Sequence, residues 1–310
     1  MLIRRMRKSL AFVCPILGVI VACGDSSNSS NEMSVSFESN VSTIDAVTTI
    51  VPVTTTDFAT TMPAVSTTSD ASSASITTTV AADAMFQQRE VLVGTSVEGR
   101  PIIALHCHVG TSRPVLAVGS IHGDESAGIR VTEWLCATTE TPVDLDLWVI
   151  ATVNPDGLAA GVRQNAHGVD LNRNFATDDW KLVGSGTEKF SGSEAGSEVE
   201  TRSVQDFVVE LSPLVVVWWH QFGDYVDDQR TVADYGVLEK FAEVSQQPIE
   251  WVGCGSTPCV GNATVFVNTR VAGATSFVVE LPRDVSSSMV ERQGRAFLAA
   301  ATMAVERSAP

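Results

Sequence analysis

The chain has 310 residues, 44% of them hydrophobic and 18% charged, which suffices for one large domain or two small ones. Its 36 acidic residues outnumber 20 Lys and Arg, for a net charge of −16. That balance argues against a nucleic-acid partner, because phosphate binding needs clustered basic residues.

In chain order, residues 1–23 read as an export signal: the basic start MLIRRMRK, the apolar run LAFVCPILGVIVA, then Cys23. The run is too short to span a bilayer comfortably as a permanent helix, which wants about 20 apolar residues. Ile20-Val21-Ala22-Cys23 resembles a bacterial lipobox, so Cys23 is the expected lipid attachment point, with an ordinary signal peptide as the alternative. The expected location is therefore exported, lipid-anchored on the outer face of a bacterial membrane, or secreted if the lipobox is not used. The membrane is then reached by the lipid alone.

From Gly24 to Ala84, 26 of 61 residues are Ser or Thr, and isolated apolar residues such as Phe37, Val51 and Ile76 follow no helical or strand period. A segment with no face to bury is expected to be a disordered tether, with a reach on the order of 40–50 Å.

Residues 85–310 have the texture of one globular α/β domain. Apolar, β-branched runs at 101–109, 114–121, 145–153, 214–220 and 276–281 predict buried strands. Amphipathic stretches at 125–139, 197–212, 235–245 and 290–306 predict helices between them. The expected fold is α/β: a mixed, largely parallel central sheet flanked by helices on both faces, with function at the C-terminal ends of the strands.

Chemistry-bearing residues fall at those ends. His122 and Glu125 form an H-x-x-E pair directly after PVLAVGSI, a spacing that turns an imidazole and a carboxylate toward one cation. His220 closes the strand LVVVWWH and would supply a third ligand, leaving a fourth position open for water; the alternative is a core histidine beside Trp218 and Trp219. Glu280 ends SFVVE, where a buried carboxylate needs compensation. A general base beside a metal-bound water fits, as does an ion pair with Arg292 or Arg295.

The middle of the chain adds Asn154-Pro155-Asp156-Gly157, then Arg163-Gln164-Asn165, then Gly168-Val169-Asp170-Leu171-Asn172-Arg173-Asn174-Phe175. This ordered set, H-x-x-E, N-P-D-G, an arginine, G-V-D-x-N-R-N, a strand-closing histidine and a strand ending in E-L, resembles the zinc carboxypeptidase family over residues 90–282. Within that family it is most similar to the compact bacterial, peptidoglycan-processing members, through HGDE-x-AG (122–128), R-Q-N-A-x-GVDLNRNF (163–175), FSG-x-x-x-xSE-x-ET (190–201) and VELP (279–282). The resemblance implies one Zn2+ ion on His122, Glu125 and His220, with Glu280 as general base. It also implies that Arg163 stabilises the oxyanion, that Asn172 and Arg173 grip the substrate carboxylate, and that Asp170 orients the ring of His122.

The same resemblance leads one to expect a tyrosine in the loop before the last catalytic strand, and residues 253–261 contain none. Tyr225 and Tyr235 lie too early in the chain for that role to be assigned to them. Cys254 and Cys259 read as a short disulfide stiffening this rim, as an exported location permits. Cys107 and Cys136 are either a second bridge or two buried thiols. The implied function is zinc-dependent hydrolysis of an amide near the C-terminal end of a peptide. The expected substrate carries a free carboxylate and derives from peptidoglycan, such as γ-D-glutamyl-diaminopimelate. A general carboxypeptidase, an N-acyl amino-acid deacylase of the aspartoacylase type, and a non-enzymatic wall-binding lipoprotein are the alternatives.

Overall fold

The computed structural model describes residues 89–228, 232–253 and 259–308. The export signal, the tether, Cys23 and Cys254 lie outside the described residues.

Eight strands form one mixed sheet in the order β1-β2-β4-β3-β5-β8-β6-β7. They are β1 (Arg89–Thr95), β2 (Pro101–His108), β3 (Val115–Val118), β4 (Leu147–Ile150), β5 (Val215–Gln221), β6 (Tyr225–Asp227), β7 (Ile249–Glu250) and β8 (Thr275–Leu281). The centre, β4-β3-β5-β8, is parallel. Antiparallel pairs flank it, β1 on β2 and β2 on β4 at one side, β6 on β8 at the other. The helices are α1 (Ala127–Ala137), α2 (Pro155–Ala160), α3 (Val199–Leu211), α4 (Tyr235–Ser245), α5 (Ala263–Arg270) and α6 (Ser287–Ser308).

Period-2 alternation on the central strands fills two cores. Val115, Ala117, Val215, Val217 and Trp219 face one core with residues of α1, α4 and α6. Leu116, Val118, Val216 and Trp218 face the other with residues of α3 and α5. Both faces of the parallel strands are thus covered, and their near-continuous hydrophobicity follows from that. Cys107 of β2 and Cys136 of α1 are disulfide-bonded, with Cα atoms 4.9 Å apart. Cys259 is also disulfide-bonded.

Two helices were not visible in the sequence pattern. Helix α2 holds Pro155 at its first turn and is capped by Asn154, whose side chain accepts the Gly157 N–H. Helix α5 is rich in β-branched residues, yet Asn262 caps it by accepting from Val265 N at 2.9 Å.

Candidate active site

The parallel register sets the site. On β5 and β8, His220 lies directly beside Glu280, and on the antiparallel β6 Tyr225 lies on the other side of Glu280. The H-x-x-E segment leaves β3, the neighbour of β5, and turns into α1.

Two glycines let the loops close over this edge. A Cβ on Gly123 would collide with the backbone of Gly157, so the HGDE loop reaches the NPDG turn only because Gly123 lacks a side chain, and a Cβ on Gly157 would strike Asn154 Nδ2 and the Gln164 carbonyl. Asn154 then holds the next loop, its Nδ2 donating to the Arg163 carbonyl at 3.1 Å.

The structure brings together His122, Glu125 and His220, all buried, with one candidate ligand atom from each within 4.8 Å of the others. Glu125 Oε2 is 2.8 Å from Nδ1 of both histidines, and those two nitrogens are 3.1 Å apart. The far sides of the rings are occupied: His122 Nε2 lies 3.1 Å from Asp170 Oδ1, and His220 Nε2 lies 3.4 Å from Asn172 Nδ2. Both imidazoles therefore present Nδ1 to the same point. The cluster sets one buried carboxylate against two imidazoles. Burial opposes ionisation of Glu125, but the two imidazoles outweigh it and hold the carboxyl well below the usual carboxylate range. Burial also pushes His122 down, and the carboxylates of Glu125 and Asp170 reverse this, leaving it raised. Two imidazoles and a carboxylate on one buried point, with Asp170 behind one ring, fit a zinc ion with an open fourth position.

Glu280 lines the same cavity of about 340 Å³. The arginines considered as its partners are engaged elsewhere, Arg292 on the Ser245 carbonyl and Arg295 on Glu140. Burial is the largest influence on Glu280 and raises its pKa; the charge of Glu125 adds to this while His220 opposes it.

Arg163 reaches into the site from the loop after α2. Its guanidinium donates to Glu125 Oε1 at 3.0 Å and, from Nε and Nη2, to Asp170 Oδ2 at 3.1 and 2.9 Å. Asn172 and Arg173 sit on a 3-10 turn, Leu171–Arg173, capped by Asp170 accepting from Asn172 N at 2.9 Å. Both are buried, 8% and 6% exposed, so Arg173 is not a surface ion-pair residue. Arg163, Asn172 and Arg173 all line the cavity.

Tyr225 is the cavity residue that sequence reasoning set aside. It lines the wall beside Glu280. Burial, followed by the charges of Glu280 and Asp227, pushes its phenol up, so it remains a proton donor. No periodic signal marks β6, which has three residues.

A strand-end His, Glu, His cluster with a neighbouring carboxylate, on a mixed α/β sheet, defines the class of zinc-dependent hydrolases. The sequence profile of the zinc carboxypeptidases matches residues 78–277, and the chain belongs to that family. It is 33% identical over 148 residues to murein peptide amidase A of Escherichia coli K12, covering 44% of this chain and 61% of that protein. It is 30% identical over 173 residues to carboxypeptidase E of Caenorhabditis elegans, covering 43% of this chain and 36% of that protein. Among solved structures, murein-tripeptide amidase MpaA from Escherichia coli O157 aligns with TM-score 0.55 and 27% identity over 71% of this chain and 92% of its own. Bovine thrombin-activatable fibrinolysis inhibitor aligns with TM-score 0.61 at 19% identity over 71% of this chain and 91% of its own, a likeness of fold.

Proposed function

We propose that this chain is a zinc-dependent peptidase that hydrolyses an amide near the C-terminal end of a peptidoglycan peptide, such as the γ-D-glutamyl-diaminopimelate bond. The observation that carries this reading is the convergence of His122 Nδ1, His220 Nδ1 and Glu125 Oε2 beside Glu280. The murein peptide amidase relatives support the wall substrate.

In this reading His122, Glu125 and His220 hold the zinc. When bound, zinc acts as a Lewis acid and lowers the pKa of water toward about 7. Glu280 is the base: it takes a proton at a carboxylate oxygen and returns it to the leaving nitrogen. Arg163 offers a fork already fixed by Asp170 and Glu125, so it meets negative charge growing on the scissile carbonyl oxygen without reorganising. Asn172 and Arg173 hold the substrate carboxylate and set the distance to the scissile bond. Asp170 keeps the His122 ring turned toward the ion.

Export and lipid anchoring through Cys23, with residues 24–84 as a tether, complete the proposal; the basic start, apolar run and Ser/Thr-rich composition support them. The test is hydrolysis of three substrates by the zinc-loaded protein: a γ-D-glutamyl-diaminopimelate peptide, an α-linked peptide with a free carboxylate, and N-acetyl-aspartate. The wall peptide should be turned over fastest, and a zinc chelator should abolish the activity. Faster turnover of the α-linked peptide would make this a general carboxypeptidase, and activity that survives chelation would remove zinc from the mechanism.

A further inference from the structure

A third cation stands with Arg163 and Arg173 and has no task in the chemistry above. Lys189 is half-buried in the long loop between the Leu171–Arg173 turn and α3. Three contacts lay its segment against the stretch that carries the two arginines. The Thr187 carbonyl accepts from Gln164 Nε2, next to Arg163, at 3.4 Å. The Phe190 carbonyl accepts from Asp170 N at 2.8 Å, and the Ser191 carbonyl accepts from Asn174 Nδ2, next to Arg173, at 2.8 Å. Lys189 is therefore held opposite the stretch from Arg163 to Arg173.

Its ammonium senses both guanidinium groups. Burial, then the charges of Arg173 and Arg163, push its pKa down, and the carboxylates of Asp170 and Glu188 only partly offset them. Asp170 is already committed: its Oδ2 accepts Nε and Nη2 of Arg163, and its Oδ1 meets His122 Nε2 and Asn172 N. Glu188 is exposed. A positive charge placed where two others oppose it is costly, and an anion arriving from solution relieves that cost. The side of the substrate that meets Lys189 follows from the loops. With the terminal carboxylate on Asn172 and Arg173 and the scissile carbonyl oxygen on Arg163, the acyl residue lies beyond Arg163. The 187–191 segment, tied to Gln164, borders that side, whereas the start of α5, tied to Asn172 Oδ1 through Ala263 N at 2.9 Å, borders the released residue. A γ-linked glutamyl residue differs from an α-linked one in keeping a free α-carboxylate, a short aliphatic chain away from the scissile carbonyl.

We propose that Lys189 forms, on the acyl side of Arg163, a subsite for a second carboxylate of the substrate, so that the chain selects an acyl residue that is a γ-linked dicarboxylic amino acid with its α-carboxylate free. The ammonium donates a charge-assisted hydrogen bond to that carboxylate. The released residue takes no part in this contact. The inference rests on the reading of Arg163, Asn172 and Arg173 given above. Because Lys189 is only half-buried, the bond is partly screened, and its expected effect is roughly tenfold in affinity.

The test compares the zinc-loaded full chain with its Lys189→Met and Lys189→Arg variants on γ-D-glutamyl-diaminopimelate and on the same peptide with the α-carboxylate converted to its amide. The same comparison is made on glutaryl-L-alanine and its terminal amide, which place the carboxylate at the same distance without any wall residue. Native protein should favour the free carboxylate by about tenfold in kcat/KM in whichever pair it cleaves. Lys189→Met should bring that ratio close to one, and Lys189→Arg should keep most of it. Each ratio is internal to one variant, so a loss of folded protein cancels. Calorimetric binding of both members of each pair to Glu280→Gln protein should give the same ratio without turnover. A native ratio near one, no measurable preference in turnover or binding, or a ratio that Lys189→Met leaves unchanged overturns the subsite. Failure to cleave the wall pair, with the ratio intact in the glutaryl pair or in binding, refutes the wall substrate and leaves the subsite standing.

Discussion

Replacing Asn165 by Ala should cost far more than a loop substitution usually does. Asn165 is 3% exposed and lies between two buried carboxylates, Glu198 at 4% and Glu200 at 0%. Its Nδ2 donates to Glu198 Oε2 at 2.9 Å and Glu200 Oε2 at 3.2 Å, and its Oδ1 accepts from His167 N and Val169 N, each at 3.1 Å. After truncation Glu198 keeps Ser197 Oγ and His167 Nδ1, but Glu200 keeps only Val97 N, on its other oxygen, among the hydrogen bonds to its carboxylate. A hydrogen bond to a charged group is worth about 1.5–3 kcal/mol, and a buried acceptor left without its donor costs its desolvation. Two such losses predict a destabilisation of about 3–5 kcal/mol, a large fraction of the roughly 5–15 kcal/mol that holds a typical domain folded. Guanidinium unfolding of the zinc-loaded variant at neutral pH measures it, and a change below about 1 kcal/mol would refute the clamp. The loop is closed by Asn165 N on Val169 O at 3.0 Å, with Arg163 and Asp170 at its two ends. A fall in kcat should therefore accompany the lost stability, and should shrink in an Arg163→Ala background if Asn165 acts through that arginine.

Glu280→Gln should lower kcat/KM by about 10²–10⁴, the usual worth of a positioned base, with one zinc per chain retained by metal analysis; wild-type turnover in this variant would remove Glu280 from the role of base. Burial raises the pKa of Glu198, but hydrogen bonds from Asn165, Ser197 and His167 overcome it and hold the carboxyl below its ordinary value of 4.5. The unfolded chain then binds the proton more tightly, so this contribution is complete above about pH 4.5 and is lost as pH falls further. Glu198→Gln should accordingly flatten the acid limb of stability followed by urea midpoint, whereas a limb as steep as that of the native protein would contradict the assignment. Replacing Cys107 and Cys136 together by Ala removes a bridge of sequence separation 29. Chain entropy puts the loss at about 3–4 kcal/mol, read as a lowered denaturation midpoint.

What the sequence disclosed and what it concealed divide along a physical line. The runs at 101–109, 114–121 and 145–153 contain β2, β3 and β4, and those at 214–220 and 276–281 most of β5 and β8; the four central strands are continuously apolar because both their faces are buried. The stretch 235–245 coincides with α4, whose buried face is marked by Val237, Leu238, Phe241 and Ala242. Of the proposed zinc ligands, His220 is legible because it stands near the end of β5, where an apolar run stops on a titratable residue, whereas His122 and Glu125 lie in the loop between β3 and α1 and are marked by their H-x-x-E spacing. Helix α5 was hidden because its Thr264, Val265, Val267 and Thr269 are β-branched, a pattern that disfavours helix until the Asn262 cap and the packing of Phe266 and Val267 override it. Strand β1 carries only a short alternation, with Val91 and Val93 packed inward and Leu92 61% exposed.

The residues that no local pattern could place are those whose position depends on a partner strand. Tyr225 stands five residues after His220, yet it does not share the strand of that histidine. The chain leaves β5 at Gln221, turns, and returns antiparallel along β8, so that Tyr225 meets Glu280, 55 positions later, in register. A slip of one residue would turn the phenol to the opposite face of the sheet. The register is held by backbone pairing of Tyr225 with Glu280 and Val226 with Val279, and by Val226, fully buried in the core that also contains Phe241 and Val279. Gly223 provides the closeness, since a Cβ there would strike Tyr225 and lie 2.5 Å from the Cβ of Glu280. The wall beside the proposed base is therefore specified by one apolar residue, one missing side chain and a strand pairing. In sequence none of the three has a period to read.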